Sequence, residues 1–424
     1  MEMKKITNER VKDSYYEVRH PSGLRIFIYP KEGCHSTYAV FGTRYGSIDS
    51  MFKRSDETEV CKVPEGIAHY LEHKMFESED GDAFLRYAKT GASANAYTTF
   101  DMTCYLFSCT DRVYESLEIL LDFVQSPYFT EQTVQKEQGI IGQEIRMYDD
   151  DPNWLVFFNL LRALYHKHPV RIDVAGTVES IAKITPEYLY RCYHTFYNLN
   201  NMALCVAGNI DPEKALALCD RMLKPSKPVH VDRIFEEEPK EIVQSRVEQK
   251  LSVAVPLFQL GFKEPARRLT EREIAQTEIL LELMASDASP MFRTLLDASL
   301  INTSSFESEY FEGPGYSAVI FSGESRDPDA VAEIIRKEAE RLRRDGIDPA
   351  AFERAKKAVY GRNVAALNSP ESIANSMVSM TFAGRELFSY LDTLAETELA
   401  DVQKRLAEQM LREYSALSVV SPIK

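Results

Sequence analysis

Residues 224 to 249 read KPSKPVHVDRIFEEEPKEIVQSRVEQ, with three prolines and a dense run of charge. Proline fixes φ and removes a backbone donor, so such a stretch interrupts regular structure. The constraint on the fold is that the order of elements restarts after it. Before it, GLRIFIYPKEGCHSTYAVFGTRYGS (23–47) reads as two strands, and apolar spacing predicts a helix over 59–77 with Pro64 near its start. A short helix over 81–89 and alternating strands in GASANAYTTFDMTCYLFSC follow. Helices over 111–126 and 131–148, a closing strand NMALCVAGNI (201–210) and a helix over 211–223 complete the first half. After the interruption, LSVAVPLFQLGFK is a strand, 271–297 is helical, and SSFESEYF and GYSAVIFSG are strands. Helices over 327–344 and 350–367 lead to YSALSVVSPI, which resembles the first closing strand. With 424 residues the chain exceeds the roughly 250–300 at which a single core stops growing. The reading is α+β in two similar domains, 1–223 and 250–424, joined by a linker over 224–249.

A net charge of −15 repels phosphate backbones and argues against nucleic acid, while favouring basic or unstructured peptides. No stretch approaches the ~18 apolar residues of a membrane helix. The N-terminal MEMKKITNERVKDSYYEVRH lacks the apolar run of a signal peptide. The seven cysteines are scattered and form no CxxC pair, which reads as reduced, mostly buried thiols in a cytoplasmic protein. Cys104 and Cys109, five apart in a strand-like run, are expected on opposite faces.

The chemistry concentrates in HYLEH, residues 69 to 73. Positions four apart share a helix face, so His69 and His73 present two imidazoles together, with Glu72 beside the second. This H-x-x-E-H pattern is the inverzincin signature. A hydrolytic zinc takes three protein ligands and leaves a position for water, so Glu72 reads as general base and a third ligand is needed. All eight histidines lie at or before His230, which leaves the second half without an imidazole site. Downstream, EQTVQKEQGIIGQEIRMYDD places Glu137 and Glu144 seven apart on one helix face, and either could reach back. Glu65, Glu77, Glu79 and Asp80 add acid around the motif. His166 and His168, in YHKHPVRID, read as solvated loop histidines, and Trp154 as an anchor under that loop.

HYLEHKMF followed by GASANAYT and EQGIIGQE resembles the pitrilysin-type (M16) zinc peptidases, the family of mitochondrial processing peptidase and insulin-degrading enzyme, and its short bacterial members in particular. The resemblance runs from GLRIFIYP through RIDVAGTVESIAKIT and FYNLNNMALCVAGNID into the second half. It implies two domains, each a mostly antiparallel sheet with helices packed on one face, and one Zn2+ per chain. His69 and His73 match the family's histidine ligands and Glu72 its catalytic base. Glu144, 71 residues after His73, matches the third ligand, and Glu137 a supporting catalytic acid. Ala94, Asn95, Ala96 and Tyr97 lie on the strand that takes the substrate backbone by β-augmentation.

The family's second half supplies an arginine and a tyrosine that hold substrate. Here the matching stretch, SPMFRTLLDASLINTSSFESEY, puts Leu295 or Leu296 and Asn302 at those places, with Arg293 and Tyr310 out of register. Either a partner subunit supplies the pair or this chain uses another donor. The expectation is a zinc endopeptidase for short or unfolded peptides, cleaved inside a clamshell chamber. The chain would be the metal-bearing subunit of a heterodimer with a paralogous subunit, otherwise a homodimer. The competing readings are a non-catalytic assembly or peptide-binding subunit and a dedicated peptide or bacteriocin maturation protease.

Overall fold

The computed structural model describes residues 3–79 and 81–423. Asp80, one of the acids counted beside the motif, lies outside the described residues. The first sheet has seven strands in the order Lys4–Asn8, Asp13–Arg19, Arg25–Pro30, Met202–Gly208, Thr37–Thr43, Thr103–Cys109, Ser93–Thr98. The second has five, in the order Arg246–Leu251, Ser415–Pro422, Leu257–Lys263, Tyr316–Glu324, Glu307–Gly313. The last five strands of the first order, from Arg25–Pro30 onward, match the second. In each sheet the closing strand inserts between the first two of the repeat, parallel to one and antiparallel to the other. Every residue of Met202–Gly208 is buried, as a central strand covered on both faces requires. The duplication seen in the closing strands is therefore a duplication of topology.

Residues up to Ile145, Asp173–Ile234 and Val364–Phe388 form one compact unit; Arg146–Ile172, Phe235–Asn363 and the chain from Ser389 onward form the other. The boundary falls inside the expected linker, at Ile234, but each unit also takes a helix from the other half of the sequence. Pro152–Leu164 packs on the second sheet and Pro370–Phe382 on the first. Equivalent glycines make room for both. A Cβ on Gly42 would lie 2.7 Å from Val378 Cγ1, and one on Gly261 would lie 2.8 Å from Leu164 Cδ1. Gly42 pairs with Ala203 and Gly261 with Ala416, the same position of the two closing strands.

Three local expectations change. The helix expected over 59–77 forms only over Ile67–Met75, because Gly66 adopts φ +85° and breaks the run. The run 271–297 splits into Glu271–Ala285 and Pro290–Asp297, the second capped by Ser289 and opened by Pro290. The linker is partly regular, since Val231–Arg233 pairs with Met51–Arg54. All seven cysteines are free, five of them buried. Cys109 joins the large core cluster, whereas Cys104 lies beside Gly42 on the opposite face. Among the described residues no helix is long and apolar enough to cross a membrane.

Candidate metal centre

The motif helix Ile67–Met75 buries Ile67, Ala68, Tyr70, Leu71, Glu72, Lys74 and Met75, leaving His69 and His73 on its partly open face. Its start is fixed by two glycines in contact. A Cβ on Gly66 would lie 2.3 Å from the Ala175 carbonyl oxygen, and one on Gly176 would lie 2.7 Å from that of Glu65. Ser180 Oγ donates to the same Glu65 oxygen at 2.9 Å. The helix Glu131–Tyr148 is tied to the motif helix by the Tyr70 hydroxyl, which donates to the Val134 carbonyl. That bond sits one residue from His69 and three from Glu137, close to where the carboxylates meet the histidines.

His69 Nε2 lies 3.7 Å from Glu144 Oε1, and His73 Nε2 lies 3.6 Å from Glu144 Oε2. One donor atom from each of the three residues fits within a 4.8 Å span, and among the described residues this is the one such group. The separations exceed a hydrogen bond. Tetrahedral zinc with bonds of about 2.0–2.1 Å sets neighbouring donors about 3.4 Å apart, so the set fits that ion. Glu137 stands behind it, its Oε1 3.1 Å from His73 Nδ1. His69 has no equivalent, for its Nδ1 is buried with no hydrogen-bond partner. Of the two downstream acids, the structure brings Glu144 to the facing nitrogens and Glu137 to the rear of one ring.

The electrostatics follow the burial. Burial, assisted by the charge of His73, lowers His69 to about 3, so its ring is neutral at physiological pH. Burial also opposes charge on His73, but the Glu137 hydrogen bond and the charges of Glu72, Glu144 and Glu137 outweigh it and raise the ring's affinity for a proton. Burial opposes charge on Glu137, but the same bond together with the charges of His73, Lys74 and Lys136 outweighs it and holds the group low. Glu72 is 8% exposed, and burial pushes it upward against the Thr98 hydrogen bond. Thr98 Oγ1 donates to Glu72 Oε2 at 2.8 Å, which leaves Oε1 free of that bond. Thr98 is absent from the sequence reading. Its signal is weak, a hydroxyl at the end of the strand already named.

That strand, Ser93–Thr98, closes one edge of the first sheet. It pairs antiparallel with Thr103–Cys109, Asn95 opposite Leu106 and Ala96 opposite Tyr105. Asn95 and Ala96 line a cleft of about 500 Å³ with Glu72, His73, Lys136 and Glu137. Asn95 Oδ1 accepts from the Ala96 N–H at 2.9 Å. Ala94 packs against the core cluster, and the Tyr97 hydroxyl donates to Asn375 Oδ1 at 2.9 Å.

In the second unit, the residues at the expected arginine and tyrosine places are committed elsewhere. Leu295 is fully buried, and Asn302 Oδ1 accepts from the N–H groups of Ser304 and Ser305. Arg293 pairs with Asp297 at 3.1 Å, and the Tyr310 hydroxyl donates to Glu264 Oε2 at 3.3 Å. His168 is not a solvated loop histidine. It is 1% exposed, its Nε2 lies 2.9 Å from the Pro314 carbonyl oxygen, and burial lowers it to about 4. His166 is half-buried, with its N–H on Glu238 Oε1. Trp154 stacks on Tyr148, ring centroids 4.3 Å apart.

Two family models match the chain. One described as Insulinase (Peptidase family M16) covers residues 62–178, which contain His69, Glu72, His73, Glu137 and Glu144. One described as Peptidase M16 inactive domain covers residues 183–359. The uncharacterized zinc protease YmfH of Bacillus subtilis (strain 168) is 41% identical over 99% of this chain and 99% of its own length. The chain belongs to peptidase family M16. A second zinc protease of that organism, YmxG, also uncharacterized, is 26% identical over 84% of this chain and 88% of its own. The crystal structure of an M16-like peptidase from Alicyclobacillus acidocaldarius superposes with a TM-score of 0.92 at 35% identity over 100% of both chains. The M16 assignment carries with it the two similar domains observed in the sheet orders.

Proposed function

We propose that this chain is a zinc-dependent endopeptidase for short or unfolded peptides, working as the metal-bearing subunit of a heterodimer. His69, His73 and Glu144 hold the zinc, and the observation that carries the reading is the convergence of their donor atoms within 4.8 Å. Zinc bound by two imidazoles and a carboxylate supplies Lewis-acid polarisation of a carbonyl and a water acidified to near neutrality. Glu72 accepts the attacking water's proton at Oε1 and returns it to the leaving amine nitrogen. Its burial supports this role, since a carboxylate with raised proton affinity is a better base near neutral pH. Glu137 orients the His73 ring through Nδ1. The backbone of residues 94–97 takes an extended peptide as an added strand, which favours unfolded substrates.

The heterodimer is supported by what the second unit lacks: Leu295 is buried, Asn302 caps its own turn, and Arg293 and Tyr310 are already paired. We propose that a paralogous subunit brings the missing arginine and tyrosine and closes the chamber. A second reading is a non-catalytic peptide-binding subunit, favoured by the match of residues 183–359 to a domain described as inactive.

The test uses a quenched unfolded peptide and the purified chain, alone and with a paralogous partner. Cleavage with the partner, abolished by chelator and by Glu72→Gln, is the expected result. Cleavage by the chain alone would keep the peptidase and remove the partner. Zinc binding with no cleavage in either setting would favour the non-catalytic reading.

A further inference from the structure

The substrate strand is anchored from the far end of the sequence. Tyr97 and Thr98 are neighbours on Ser93–Thr98, so their side chains leave opposite faces of the sheet. Thr98 reaches the general-base candidate Glu72. Tyr97 reaches Asn375, 278 residues away, on the exchanged helix Pro370–Phe382. Asn375 is itself held, because its Nδ2 donates to the Glu371 carbonyl at 3.0 Å and Tyr38 faces both of those residues. The helix has little freedom to shift. Val378 Cγ1 and Phe382 Cε2 lie so near Gly42 that an added Cβ would sit 2.7 and 3.1 Å from them.

An edge strand has a ladder on one side only, so its twist and the aim of its outer N–H and C=O groups are weakly set by the sheet. A peptide that adds as a strand reads those groups. We propose that Asn375 is a positioning residue for peptide binding: through Tyr97 it holds the substrate strand in the orientation that accepts an added strand and keeps Thr98 aimed at Glu72. The second half of the chain thereby contributes to a site whose metal candidates all lie in the first. This rests on the peptidase reading for its kinetic consequence, but not for its structural one.

The experiment compares wild type, Asn375→Ala, Tyr97→Phe and the double variant in the full chain, assayed with its partner where cleavage requires it. Amide exchange across residues 93–98 is the first readout. Faster exchange there in both single variants, with Leu257–Lys263 of the second sheet unchanged, is expected. With a quenched unfolded peptide, KM should rise about 3- to 10-fold, the scale of one neutral hydrogen bond, with kcat little changed and zinc content intact. The double variant should match Asn375→Ala, because that variant already removes the Tyr97 interaction. Unchanged exchange in residues 93–98, or additive losses in the double variant, would overturn the proposal. Wild type that cleaves nothing while the exchange result holds would sink the peptidase reading and leave the positioning role standing.

Discussion

At the scale of single residues, the two histidines are unequal. His73 has Glu137 behind its ring, while the buried Nδ1 of His69 has no partner. A carboxylate behind a ligating imidazole fixes the tautomer and strengthens the donor, and its loss typically costs 10–100-fold in metal affinity. Glu137→Gln should therefore weaken zinc binding by about 10-fold or more, read by competition with a chromogenic chelator. Glu72→Gln should leave that affinity within about 3-fold, since Glu72 bonds Thr98 rather than a ligand position. Equal losses for the two variants would remove the distinction between them. The legible part of the site was the part written locally. His69, Glu72 and His73 fall within one and a half helical turns, and Glu137 and Glu144 share a helix face, so spacing alone presents them. Spacing could not tell which acid faces the nitrogens, because that depends on how two helices pack, the Tyr70–Val134 bond being one of their contacts. Nor could it find Thr98 or Asn375, whose roles arise from contacts across the sheet.

At the scale of elements, strands and helices were legible where period and chain punctuation agreed, as in Glu131–Tyr148, Thr103–Cys109 and Pro328–Asp345. Boundaries failed where one residue overrode a periodic run, as Gly66 does before the motif helix. The linker carries more structure than its composition implies, and Glu238 is the reason. Its carboxylate accepts the N–H groups of His166, Lys167 and His168 at 2.9, 2.7 and 2.8 Å and the Lys263 ammonium at 2.6 Å. Burial opposes the charge on Glu238, but these donors outweigh it and lower the group to about 2 from 4.5. A carboxyl lowered on folding adds stability that is complete above the unfolded value and is lost as pH falls through the folded one. The window here runs from about 4.5 down to about 2. Glu238→Gln should cost about 3–5 kcal/mol at pH 7, because it leaves the buried Lys263 ammonium without its counter-charge. Urea unfolding of both proteins at pH 7 and pH 3 should show the gap narrowing at the lower pH. A constant gap would mean the carboxylate charge is not what holds the loop.

At the scale of the whole molecule, the duplication and the exchange belong together. Two copies of one topology, each with a glycine opposite the same position of its closing strand, each seat a helix encoded in the other half. The strand pattern was readable because each repeat is contiguous in its strands. The exchange was not, because an apolar helix face carries no mark of which sheet it covers. Its energetic weight is large. Pro370–Phe382 buries Ile373, Met377, Val378 and Phe382, and Pro152–Leu164 buries Val156, Phe158, Leu160, Leu161 and Leu164. At roughly 1.5–3 kcal/mol per buried apolar side chain, either helix contributes on the order of the 5–15 kcal/mol that stabilises an ordinary domain. A chain divided between Ile234 and Phe235 should therefore give two fragments that do not fold separately. Neither should show a cooperative urea transition alone, and mixing them should restore both the transition and zinc binding. A fragment of residues 1–234 that unfolds cooperatively and binds zinc with the affinity of the intact chain would show that the borrowed helix is dispensable. That result would also weaken the proposed role of Asn375, which reaches the edge strand Ser93–Thr98 only because its helix is seated on the first sheet.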